Sequence, residues 1–211
     1  QVNQTGQGLY TADLTDMESV TRLVELIRRR QGTIGGIIHL LALRNGGTSF
    51  EGMSFKDWQQ RLRLEAKSLF YLARAVGSDL RRAADSKAGW LIAATGMGGS
   101  FAADMDESLS FFPGQGAIVG LVKTLAVEWP DVRCKSVDLK PAAPAAISAG
   151  HLLREMAEVN GEVEVGYRGS HRLTLKVSKK PLDEGRPGGV VLDSSRVVLV
   201  TGGARGITAE A

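Results

Sequence analysis

A single cysteine, Cys134, stands among the 211 residues, so no internal disulfide can form and no second thiol is present for a CxxC redox or zinc site. That usage fits a reducing cytoplasm. Long apolar runs are also missing: the stretch over residues 37–43 falls far short of the roughly 20 residues that cross a bilayer. The N-terminal residues lack the basic-then-apolar layout of a signal peptide, and residues 1–5 read instead as an internal stretch of something larger. There is no basic stripe either. The formal charge of +3 comes from 26 Lys and Arg scattered among 23 Asp and Glu, which excludes a nucleic-acid footprint and leaves solvated faces. The three histidines, His39, His151 and His171, have no spaced partners and form no metal constellation. His39 lies in an apolar run and is expected to be a packed core residue. Trp58, Trp90 and Trp129 fall at positions expected to face the core.

What is present is 43% hydrophobic residues, arranged as short apolar runs that alternate with amphipathic helices. This is the pattern of an α/β fold with a parallel sheet covered on both faces. Thr15 and Glu18 read as a capping box that opens a helix bearing Met17, Val20, Leu23, Val24 and Ile27 on one stripe. Arg28, Arg29 and Arg30 lie near its C-terminus and Gly32 ends it. Residues 36–42 are expected to be a strand buried on both faces, since they are apolar without alternation. A helix over about 55–76, a strand over 90–94, a Gly-rich loop, a helix over 116–128 and a strand over 132–139 follow. From Pro141 the character changes. Pro141 and Pro144 open a loop, a short helix is expected over 151–159, and two alternating segments, 162–168 and 172–177, read as a hairpin turned at Gly169-Ser170. A Lys/Pro/Gly-rich linker over 179–195 then leads to the strand Val197-Val198-Leu199-Val200.

That last strand runs into Thr201-Gly202-Gly203-Ala204-Arg205-Gly206-Ile207. A Gly-rich turn directly after a β-branched strand lets the backbone approach a pyrophosphate and hands it to a helix N-terminus. Thr201, Gly202, Gly203, Arg205 and Gly206 are therefore the candidate cofactor-binding residues, with an ordinary strand-to-helix turn as the other reading. Arg205 is placed to pair with a 2′-phosphate, which favours NADPH over NADH. Thr208 stands where short-chain dehydrogenases usually have a further glycine.

The stretch VVLVTGGARGITAE over 197–210 is similar to the start of the catalytic ketoreductase subdomain of polyketide and polyunsaturated fatty acid synthases, the enediyne type included. Residues 162–169, EVEVGYRG, with Arg172-Leu173, resemble the hairpin that closes that family's preceding structural subdomain, itself a degenerate short-chain dehydrogenase. The resemblance implies a truncated Rossmann-like, non-catalytic subdomain over 1–178, a linker over 179–195, and the first strand of a second, NADPH-binding unit from 196.

The same resemblance allows the reductase positions to be checked residue by residue. Where the family's YxxxK motif has lysine and tyrosine, this sequence has Gln115 and Phe111, or Phe112 after a one-residue shift. The serine position falls at Ala94 or Thr95, and the asparagine or lysine of the proton relay at about Glu65. The phenolic donor and the ammonium that lowers its pKa are both replaced, so no catalytic residue is assigned. Asp13 matches the aspartate that contacts adenine in functional relatives, and it serves equally well to start a helix.

Three roles follow as expectations. The first is a structural half that supports NADPH-dependent reduction of β-ketoacyl chains on an acyl carrier protein, within a homodimeric, cytoplasmic multidomain synthase. In that reading the fragment alone binds no cofactor, and its partner is the catalytic ketoreductase subdomain of the same polypeptide. The second is a module that docks an acidic carrier protein or organises a dimer through Arg28, Arg29, Arg30, Arg81 and Arg82. The third is an active reductase that uses unusual residues. None of the three involves a nucleic acid, a membrane or a metal.

Overall fold

The computed structural model describes residues 2–44, 52–103, 110–141, 143–158, 161–179, 181, 193, 195–197, 199 and 201. The chain divides into two units, Gln1–Lys176 and Val177–Ala211. The first opens with an antiparallel ribbon of β1 (Asn3–Gly6) and β2 (Leu9–Thr11), which the sequence pattern did not suggest. Its main body is a five-stranded sheet in the order β3 (Gly36–His39), β4 (Trp90–Thr95), β5 (Arg133–Asp138), β6 (Glu164–Arg168), β7 (His171–Thr174). The first four run parallel and β7 returns antiparallel from β6, with Tyr167 opposite Arg172. The expected α/β architecture and the expected hairpin are thus both present.

Alternation along β4 sorts the core into two layers. Leu91 and Ala93 face one layer, where they meet Val20 and Val24 of α1 (Met17–Gln31), Leu69, Ala73 and Leu80 of α3 (Ser68–Ala84), and Ile118 and Val122 of α4 (Gly116–Glu128). Ile92 and Ala94 face the other, with Val137, Val165, Tyr167 and Leu152 of α5 (Ala145–Ala157). Helices therefore cover both faces, as the unbroken apolar runs of a parallel sheet require.

Several local expectations are corrected. The helix cap is Asp16 rather than Thr15: its carboxylate accepts the Ser19 amide at 2.7 Å, while the Thr15 hydroxyl is donated to Asp13. Gly32 ends α1 as expected, with a positive φ of 92° that a side chain would strain. The strand begun at Gly36 stops at His39, and a short 3-10 turn takes over at Leu41–Leu43. Nor is that strand enclosed. Among the described residues it is an edge of the sheet, and Ile38 and Leu40 remain 39% and 44% exposed. The expected helix over 55–76 is α2 (Phe55–Leu62), one wide π-type turn (Arg63–Lys67) and α3, extending to Ala84. The helix expected from His151 begins at Ala145, six residues earlier, because Pro144, with its fixed φ and no amide hydrogen, suits a helix entry as well as a loop.

In the second unit the only elements expected were a linker and a strand. Ser195 donates its amide and hydroxyl to Asp193 at 2.9 and 2.5 Å, a local turn. Val197 and Leu199 are 99% and 90% exposed and carry no strand pairing, while Val198 and Val200 lie outside the described residues. Among the described residues no helix is long and apolar enough to cross a membrane.

Candidate functional site

The positions checked above for an acid and a base lie on four elements: the end of β4, the π-type turn, the 3-10 turn after β3, and the entry to α4. Gln115 ties three of them together. Its side-chain carbonyl accepts the Gly96 amide at 2.7 Å and its NH2 donates to the Ala42 carbonyl at 3.1 Å. Only 2% of it is exposed. An ammonium at this position would lose the bond from Gly96, because it has no acceptor.

Glu65 is fully buried on the π-type turn and accepts Arg61 Nε at 2.5 Å. Burial pushes its carboxyl above the ordinary carboxylate range, against the opposing pull of Arg61 and Gln115. Its Oε2 has no hydrogen-bond partner. The Arg61 guanidinium sits 4.7 Å over the ring of Phe112, and Trp58 meets the same ring edge-on with centroids 4.7 Å apart. Phe112 is completely enclosed and Phe111 half-buried. The aromatic face and the cation hold each other, and the interior is closed around them. Thr95, at the serine position, is buried and donates its hydroxyl to Asp138 at 2.8 Å, so the hydroxyl is already engaged.

Asp138 is a residue that sequence reasoning passed over. Buried at the end of β5, it receives the amides of Met97, Gly99 and Phe101 at 2.7, 2.7 and 2.8 Å as well as the Thr95 hydroxyl. The loop after β4 is thereby wrapped around a buried carboxyl group. Gly99 (φ 85°) is required there twice over: a Cβ would be strained by the backbone and would collide with the Tyr167 carbonyl.

A second missed cluster lies on the opposite face. Glu155 of α5 takes Lys135 at 2.9 Å, the Tyr167 hydroxyl at 2.5 Å, and both Arg172 nitrogens at 2.7 and 3.0 Å. Burial works to raise its pKa, but those donors from Arg172, Tyr167 and Lys135 hold it down at about 2. Burial and the Glu155 charge push the Tyr167 phenol up to about 12. The available signal was Lys135 and Asp138 in a strand expected to be buried, since a charge in a buried strand demands a partner.

The remaining candidates are placed as follows. His39 is buried, with Nε2 at 2.9 Å from the Ser68 hydroxyl, and burial pushes its pKa down to about 4. It is a core histidine, as expected. Burial also pushes the Cys134 thiol up to about 12. Asp13 is exposed and accepts from Thr15, which makes it part of the helix entry. Arg28 is bound to Asp79 at 2.9 Å and to the Ala75 carbonyl, and Arg81 lies 5.8 Å over Trp129. Arg29, Arg30 and Arg82 are exposed. Thr201 is exposed, while Gly202, Gly203, Arg205 and Gly206 lie outside the described residues. No group of three or more metal-ligating side chains occurs among the described residues.

A family model described as enoyl-(acyl carrier protein) reductase matches residues 1–164. Over 87 residues, 41% of this chain, the sequence is 30% identical to a component of the phenolphthiocerol/phthiocerol polyketide synthase of Mycobacterium tuberculosis. The match is the same for the corresponding component from Mycobacterium bovis. The matched stretch spans 6% of the length of these relatives. Among solved structures, a short-chain dehydrogenase from Streptomyces avermitilis aligns with a TM-score of 0.58 and 14% identity, over 75% of this chain and 70% of that one. An alcohol dehydrogenase from the archaeon Thermococcus sibiricus, complexed with 5-hydroxy-NADP, aligns with a TM-score of 0.54 and 17% identity, over 72% and 69%. These likenesses show the fold.

Proposed function

This chain belongs to the family described as enoyl-(acyl carrier protein) reductase, and from that premise we propose that it is the non-catalytic, structural half of a ketoreductase in a multidomain polyketide or polyunsaturated fatty acid synthase. The supporting observation is the filled reductase position. Gln115 spends both ends of its amide on backbone groups, Thr95 is engaged by Asp138, and Phe112 is sealed between Arg61 and Trp58. Nothing in that set can protonate a carbonyl oxygen as hydride arrives. Glu65 is enclosed and bound to Arg61.

In this reading the parent polypeptide is a cytoplasmic homodimer that reduces β-ketoacyl chains on an acyl carrier protein. NADPH would supply the hydride, and this chain offers it Thr201, Gly202, Gly203, Arg205 and Gly206. The two halves of the ketoreductase divide the work, with the packed sheet as buttress and the neighbouring subdomain as site. The test is NADPH oxidation with a β-ketoacyl thioester. The 211-residue chain alone is expected to give none, and a polypeptide extended through the following subdomain is expected to turn over. Activity of the 211 residues by themselves would overturn the reading.

A second role, docking of an acidic carrier protein, draws support from Arg29, Arg30 and Arg82, which stay exposed. Arg81 is exposed as well, while Arg28 is bound to Asp79, so that surface keeps four of the five arginines the sequence suggested. Capture of carrier protein that fades with added salt supports docking, and no capture at low salt removes it.

A further inference from the structure

The segment from Arg61 to Leu80 takes in the end of α2, the π-type turn and most of α3. Its exposed residues are Arg63, Lys67, Phe70, Arg74 and Ser78, spaced so that they share one narrow outward stripe of the helix. The two acids of the segment, Glu65 and Asp79, are buried and already bound to Arg61 and Arg28. Charge of one sign is therefore left on the surface. Among the described residues Arg63, Lys67 and Arg74 make no ion pair and no side-chain hydrogen bond. Phe70, set between the cations, is 47% exposed and meets the Tyr71 ring with centroids 6.0 Å apart.

Other helices of the same molecule balance the charge of their outward faces. On α1, Glu18 pairs with Arg22 at 2.6 Å, and Glu25 stands four residues before Arg29. On α4, Lys123 meets Glu164 of β6 at 3.0 Å. Arg63 and Lys67 also stand four residues apart, but like charges at that spacing repel and oppose the helix. A second copy of this face would set cation against cation across a two-fold axis. A nucleic acid or an anionic membrane calls for a broad basic patch, and this stripe is narrow, in a chain of 26 cations and 23 acids. Its form suits one helix: carboxylates one and two turns apart on a facing helix meet the three cations, and an apolar side chain between them meets Phe70.

We propose that the stripe of Arg63, Lys67, Phe70 and Arg74 is the docking site for an acidic amphipathic helix of a partner protein. The proposal does not rest on the ketoreductase reading, and it shares no residue with the surface of Arg29, Arg30, Arg81 and Arg82.

The probe is a labelled, Ala-rich peptide of about 20 residues, long enough to be helical in water, with Glu at each turn of one face and Leu at its centre. Its binding to the full chain is read by fluorescence anisotropy. Saturable binding that weakens with added salt is expected. Arg63→Glu/Lys67→Glu is expected to weaken it by about tenfold, and Arg74→Glu, on the regular helix beyond the π-type turn, by about threefold. Phe70→Ser is expected to weaken it without changing its salt dependence. A peptide with Lys in place of Glu is expected to bind Arg63→Glu/Lys67→Glu and not the wild type. All four positions are exposed, and unchanged thermal unfolding will report that the variants are folded. No binding at low salt overturns the proposal, as does binding that the α3 variants leave unaltered or that Arg29→Glu/Arg30→Glu abolishes in their place. Duplex DNA or anionic lipid vesicles that bind as tightly, with the same dependence on Arg63 and Lys67, overturn it as well.

Discussion

Glu65 and Glu155 are both buried carboxylates, one on each face of the same sheet, and they are treated in opposite ways. Glu155 receives Lys135, Tyr167 and a two-pronged Arg172, and its pKa falls to about 2. Glu65 has Arg61 and Gln115 set against its burial, and burial still raises its pKa. Burial penalises both charges, and the number and aim of the donors decide the sign. Glu155 joins three strands to a helix, whereas Glu65 belongs to a filled position that the surrounding side chains only partly compensate.

The sharpest way to break that contrast is to remove Glu155. Glu155→Ala leaves Lys135 and Arg172 without their anion and is expected to cost about 3–5 kcal/mol, read from the urea midpoint. A loss below about 1 kcal/mol would show that the cluster contributes little to stability. Next comes proton linkage at His39. Folded His39 stays neutral down to about 4 against an ordinary value of 6.5, so the unfolded chain binds the extra proton between those limits. Its contribution is therefore complete above 6.5 and is lost as the pH falls toward 4, by roughly 3 kcal/mol. Glu65, with its raised pKa, acts in the other direction, losing stability as the pH rises above the ordinary carboxylate range. The difference between wild type and His39→Gln across pH 4–7 isolates the histidine, and parallel stability curves would disprove the linkage. Smallest is the double variant Arg61→Met/Glu65→Leu, expected to stay within about 1 kcal/mol of wild type because apolar replacement of a buried ion pair is often close to neutral. Thermal unfolding that placed it as low as Glu155→Ala would erase the distinction between the two carboxylates.

How far the sequence could be read depended on whether the signal was local. The stripe on α1, the apolar turns of α4 and the alternation across the Gly169-Ser170 turn each state their period within a dozen residues, and the corresponding elements are found. The cap shifted from Thr15 to Asp16 because both residue types serve, and only the backbone angle chooses between them. Residues 36–42 promised enclosure, yet β3 lies at an edge, since an apolar run shows affinity for a sheet without saying which neighbours are present. At the reductase position, Phe111, Phe112, Gln115 and Glu65 were identified from the sequence, but Arg61 and Trp58 were not tied to them. The Arg61–Glu65 pair has the i,i+4 spacing that could have shown it, whereas the contacts of Arg61 and Trp58 with Phe112 join segments far apart in the chain, where spacing carries no information.

The sequence alone determined the α/β class and the parallel strands, because periodicity is a property of the chain. Tertiary structure decided what its buried polar residues became. Gln115 is a three-way clasp, Asp138 the centre of a loop, and Glu155 a junction of three strands and a helix. A buried polar atom must find its partner wherever the fold brings one, and for these residues the partners lie between 12 and 73 positions away.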